Sequence, residues 1–192
     1  MVPLIEEACE SRAAPHRALA LDAERIALAC RDMAQRFHAG GRLLTFGNGT
    51  AAADAGHLAV EFSHPVGVGK RALPAISLAG DAAAVTGLAR LGGQAAAFSA
   101  QLRLLGGPGD VAVGIVAGDP CENVRTALAA ARELGMLTVA LTGQATAGVT
   151  ADHLLAAGSD DPLITRELHV TTYHLLWELV HMFFEHSARV SR

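Results

Sequence analysis

Lysine is almost absent from this chain of 192 residues: of 15 Lys and Arg side chains Lys70 is the one lysine, and the arginines are scattered. The 19 Asp and Glu side chains leave a formal net charge of −4. Gripping a nucleic-acid backbone takes clustered cations that displace its counterions, so no nucleic-acid partner is expected. Aromatic residues make up 4% of the chain, with a single Trp and a single Tyr. A core must then come from Ala, Leu and Val, which suits helices packed on a sheet. Cysteine is scarce too. Cys9, Cys30 and Cys121 show no CxxC or metal-ribbon spacing, the usage of reduced thiols in a cytosolic protein. No stretch reaches the roughly 18 uninterrupted apolar residues of a membrane helix. The opening MVPLIEEACESR has acids where a signal peptide carries base. These absences predict a soluble, cytoplasmic protein with no membrane partner.

What the chain has in quantity is aliphatic sequence, 51% hydrophobic, cut into short runs by glycine. Residues 1 to about 20 have weak periodicity and are expected to be partly helical or loose. Asp22 is a fair N-cap for a helix through Ile26, Ala29, Met33 and Phe37, stopped at Gly40-Gly41. LLTFG (43–47) reads as a buried parallel strand, and an Ala-rich helix follows it until Pro65. Further strands are predicted at 72–78, 111–117, 137–143 and, at an edge, 153–157. Helices are predicted over 81–88, 94–105, 122–134 and from Pro162 to about Ser187. Strands alternating with helices, each strand nearly continuous in apolar residues, predict an α/β fold. Its form is a three-layer, doubly wound parallel sheet of about five strands. Residues 1–38 form a helical extension in this reading, and 39–192 the α/β domain. The first helix lies outside the βα repeat, so its apolar stripe needs a cover.

Ligands of such sheets bind beyond the carboxyl ends of the strands, where helix N-termini present free N–H groups. The turn Gly47-Asn48-Gly49-Thr50 is a candidate, though it is neither a Walker loop nor the GxGxxG dinucleotide fingerprint. The helix after it carries His57, Glu61 and His64 at i, i+4 and i+7, and the last helix carries His174, Glu178 and His181 at the same spacing. Two imidazoles flanking a carboxylate on one stripe suit a divalent metal, a proton-transfer pair, or simply a solvated face. The first stripe starts one to two turns after the candidate loop, in an otherwise apolar helix, which favours a partly buried site. His16, His38, His153, His169 and His186 read as surface or packing residues.

GNGTAAADAGHLAVEF, LPAISL, GDVAVGI, NVRTALAAARELGM, VALTG and RELHVTTYHLL, in that order, resemble SIS (sugar isomerase) proteins of the phosphoheptose isomerase group. The resemblance spans roughly residues 22 to 187. It implies a flavodoxin-like sheet and an N-terminal helix used in packing a homodimer or homotetramer. It also implies isomerisation of sedoheptulose 7-phosphate to a heptose phosphate through an enediol. By resemblance Glu61 is the base, His174 the partner acid/base, and His57 orients Glu61 or joins Glu61 and His174 around a zinc ion. The same resemblance implies that Asn48, Gly49, Thr50, Ala51, Asp119 and Arg166 line the site for a sugar or sugar phosphate.

Four departures accompany it. Arg166 stands where the group has a glutamine ligand. Ala51 stands where it has a phosphate-binding serine. The loop Val116-Ala117-Gly118-Asp119-Pro120-Cys121 has no hydroxyl and adds an acid, and Ala89-Arg90 replaces an asparagine–aspartate pair. The alternative is a non-catalytic SIS protein that binds a sugar derivative or a protein. The opening GNGT-A-A, LPAISL and VTGLA also resemble the SIS regulator that associates with the bacterial replication initiator, although those regulators lack the glutamate and histidine kept here. A third reading is metal-assisted chemistry on an unphosphorylated sugar in the same cleft.

Overall fold

The computed structural model describes residues 1–117, 121–144 and 148–190. Five strands form one parallel sheet: β1 (Leu43–Gly47), β2 (Ala75–Ser77), β3 (Val111–Val116), β4 (Leu137–Thr142) and β5 (His153–Ala156). Their order is β2-β1-β3-β4-β5. The central strands are buried on both faces, which is why they read as unbroken apolar runs. Leu43, Val111, Val113, Ile115, Val139 and Leu141 face one half of the core, and Leu44, Phe46, Ala112, Val116 and Ala140 the other.

The first face is covered by α2 (Ala23–His38), α3 (Thr50–Ser63) and α7 (Pro162–Val190). The second lies under α4 (Ala82–Gly92), α5 (Ala96–Leu105) and α6 (Glu122–Glu133). Asp81 caps α4 by accepting from Ala84 N at 2.9 Å, which satisfies one of the donors a helix start leaves free. The α/β sandwich and its doubly wound sheet are as the sequence predicts.

Two elements differ from expectation. The strand predicted over 72–78 pairs with β1 only through Ala75–Ser77. Pro74 has no N–H to give, and Leu73 N is drawn off to Phe62 O at 2.8 Å, so the lead-in meets β1 only through Pro74 O, which accepts from Leu43 N at 2.9 Å. Residues expected to be partly helical or loose form a full helix, α1 (Val2–Leu19), none of whose residues is buried. The stripe of α2 needs no outside cover: Ile26, Ala29, Cys30, Met33, Ala34 and Phe37 are buried in the chain's own core against α7. Burying Ile26, Met33 or Phe37 is worth about 1.5–3 kcal/mol each. The unpartnered helix is α1, held to α7 by Arg12 Nε on Glu167 Oε2 at 2.9 Å.

A 2-1-3-4-5 order reverses direction between β1 and β3, and a crevice opens there beyond the strand ends. The turn after β1 and the first residues of α3 form its wall.

Candidate active site

The turn out of β1 is tight because α3 starts almost on top of it. A Cβ on Gly47 would lie 2.8 Å from Ala51 O and 2.9 Å from Ala51 Cβ. Gly49 has φ +56°, the left-handed region that glycine adopts freely. Asn48 and Asn123 exchange amide hydrogen bonds at 2.8 Å in both directions, which ties this turn to the start of α6 across the crevice. The Asn48 side chain is therefore committed to Asn123. Ala51 is buried against Gly47, whereas Gly49 and Thr50 are exposed.

Further along α3, His57 Nε2 lies 3.0 Å from Glu61 Oε1. The His57 side chain is 42% exposed and that of Glu61 14%, so the carboxylate lies beneath the ring. From α7, His174 brings its ring centroid to 5.2 Å from that of His57. One ligand atom from each of His57, Glu61 and His174 lies within 4.8 Å of the others. These three residues, from helices more than a hundred residues apart, are brought together. Tyr173, which sequence reasoning passed over, completes the cluster: its hydroxyl is 2.8 Å from His57 Nδ1. Burial pushes the phenol up to about 12, with Asp54 adding to the effect.

Arg166 does not reach Glu61. Its Nε donates to Asp54 Oδ2 and its outer guanidinium nitrogen to Asp54 Oδ1, both at 3.1 Å. Asp54 is buried while the Arg166 side chain is 42% exposed, so a planar cation is braced from below and open above. No sequence signal singled out Asp54. His169, read as surface or packing, is buried and donates from Nε2 to Thr142 O at 2.9 Å.

The rest of the two stripes disperses. His64 is exposed at the end of α3 and Glu178 is exposed on α7. His181 is buried among backbone carbonyls, with Nε2 3.0 Å from Arg71 O. Arg90 is exposed on α4. Asp119 lies outside the described residues.

The SIS domain family matches residues 9–143. The chain belongs to that family. It is 40% identical to a phosphoheptose isomerase of Solidesulfovibrio magneticus over 183 residues, 94% of this chain and 88% of the relative. It is 42% identical to one of Desulfovibrio desulfuricans over 156 residues, 79% of this chain and 74% of that one. Among solved structures, a phosphoheptose isomerase from Francisella tularensis superposes with a TM-score of 0.88 at 27% identity, covering 94% and 98% of the two chains. Within the SIS family the chain falls in the phosphoheptose isomerase group and is an isomerase enzyme. The regulator reading is not favoured.

Proposed function

We propose that this SIS protein interconverts a ketose phosphate and an aldose phosphate through a cis-enediol, with a phosphoheptose as substrate. The observation that supports the reading most is the convergence of Glu61 and His174 from two helices, beside a crevice where doubly wound sheets bind ligands. The Glu61 carboxylate takes the proton from C1 of the ketose, and the C–H electron pair forms the C1=C2 bond. His174 gives a proton to the C2 oxygen, which leaves a neutral enediol. Glu61 then returns its proton to C2, and the O1 proton passes to His174 as C1 becomes the aldehyde. No atom is lost, and both residues end as they began. Arg166, braced by Asp54, supplies a cation for the enediolate or the phosphate, and the exposed Thr50 supplies a hydroxyl where Ala51 cannot.

His57, Glu61 and His174 suit zinc: they offer borderline nitrogen and oxygen donors in the His₂Glu combination of catalytic zinc sites, and they lie close enough to converge. Bound there, the ion would act as a Lewis acid toward the substrate carbonyl. Arg166 is no part of that ligand set, because a guanidinium has no lone pair to give and is engaged by Asp54.

An oligomer is part of the proposal. Val2, Leu4 and Ile5 stand exposed on α1, and a second copy would cover them. Removing residues 1–20 is expected to yield a folded but smaller species by light scattering, and an unchanged mass would overturn this. Cytoplasmic residence is supported by a cysteine usage without framework or metal-ribbon spacing. No described helix is long and apolar enough to cross a membrane.

The test is an NMR isomerisation assay with sedoheptulose 7-phosphate, run with and without zinc. Glu61→Gln should lower kcat by about 100- to 10,000-fold. Equal turnover by both proteins would remove Glu61 from the mechanism, and no turnover by the wild type would refute this substrate.

A further inference from the structure

Tyr173 is the one tyrosine of the chain and is fully buried on α7, one residue before His174. Its ring meets both imidazoles edge-on, with centroids 5.3 Å from His57 and 4.9 Å from His174. Its hydroxyl makes one side-chain hydrogen bond among the described residues, to His57 Nδ1 at 2.8 Å. On the opposite side of that imidazole, Nε2 lies 3.0 Å from Glu61 Oε1. Phenol, imidazole and carboxylate thus stand in series.

We infer that Tyr173 is a positioning residue: it donates its hydroxyl proton to His57 Nδ1 and so fixes the Nε2–H tautomer, which in turn holds the Glu61 carboxylate. The inference concerns the metal-free protein, since a zinc ion held by His57 and Glu61 would take the place of the Nε2 proton, and it rests on the reading of Glu61 as the base.

Hydrogen-bond inventory decides between the alternatives. An ionised carboxylate only accepts, so its contact with Nε2 requires a proton on that nitrogen. With the proton on Nδ1 instead, lone pairs on Nε2 and Oε1 would oppose one another at 3.0 Å. The phenol would then have to accept, and its own proton would be left buried without a partner, a state folded proteins avoid. Protonating both nitrogens would strand the same proton. The neutral Nε2–H ring alone satisfies all three groups. The effect on Glu61 is orientational: Oε1 is engaged and Oε2 is left free to meet the substrate.

This is the logic of an outer partner that sets which histidine nitrogen carries the proton. The position carries no signal in the sequence beyond its rarity, because residues adjacent on a helix do not share a face. The long phenol closes that gap by reaching back across the inner side of α7 to α3.

The test uses full-length, EDTA-treated protein labelled with ¹⁵N-histidine, with His57 assigned by comparison with His57→Gln. In the wild type, His57 Nδ1 is expected at a pyridine-like shift and Nε2 at a pyrrole-like one. Tyr173→Phe keeps the ring packing and removes only the hydroxyl. It should average the two His57 shifts and lower kcat about tenfold while KM stays within about twofold. A wild-type proton on Nδ1 overturns the inference, as does a folded Tyr173→Phe protein with unchanged tautomer and kcat. The wild-type spectrum is decisive by itself should the variant fail to fold. It needs no turnover, so a failure of the isomerase reading would be seen separately, in the assay.

Discussion

Asp54 is 3% exposed and both of its oxygens are held by Arg166. A buried carboxylate is tolerable only with its cation, and the bidentate fork fixes where that cation points. Asp54→Asn should therefore act at a distance, leaving Arg166 in place but unaimed. We expect kcat/KM to fall ten- to a hundredfold, and steady-state kinetics on the folded variant would check it. Gly47→Ala sets a methyl against the first turn of α3 and should cost about 1–3 kcal/mol in urea unfolding. Burial raises the Cys30 thiol to about 12, whereas Cys9 is exposed. A thiol reagent at pH 8 should label Cys9 in the native protein and reach Cys30 only after denaturation. Among the site residues, spacing marked two stripes of three, and the family resemblance singled out His57, Glu61 and His174 from them. The sequence was silent on Asp54, which is 112 positions from Arg166, because no local pattern encodes a contact across that separation. Tyr173 escaped because its Cα lies about 100° around the helix from that of His174.

Helices differ in what their sequences disclose. The stripe of α2 recurs at helical spacing and was readable, but its destination was not. A stripe reveals that a face will be buried, and tertiary packing decides against what. Here it lies on α7 within the same chain. Helix α1 showed only weak periodicity, and it forms a helix none of whose residues is fully buried, with Leu19 at its end packed partly against the core. The contrast makes deletions informative. Loss of residues 1–20 should leave the melting temperature within a few degrees, whereas loss of 1–38 strips Met33 and Phe37 from the core and should yield insoluble protein. The central strands were legible because burial on both faces forces continuous apolar runs, and β2 is shorter than expected because Pro74 can accept from β1 but has no N–H to donate.

For the molecule as a whole, a buried histidine ties stability to pH. Burial lowers His169 below the ordinary histidine range, so the folded protein resists a proton that the unfolded chain accepts near 6.5. The stability linked to this group is complete above that pH and is lost as the pH falls below it. The urea midpoint should drop between pH 7 and 5, and His169→Gln should flatten that decline. Equal slopes would assign the acid sensitivity elsewhere.

The assembly of α3 with α7 also bears on how the enzyme is made. Ribosomes release the chain from its N-terminus, so Glu61 and most of the sheet emerge well before Pro162 opens the last helix. Until that helix docks, Glu61 and His57 lack both His174 and the Tyr173 phenol beside them. On the proposed mechanism a nascent or prematurely terminated polypeptide is expected to be catalytically silent, and the appearance of isomerase activity during translation would time the docking of α7.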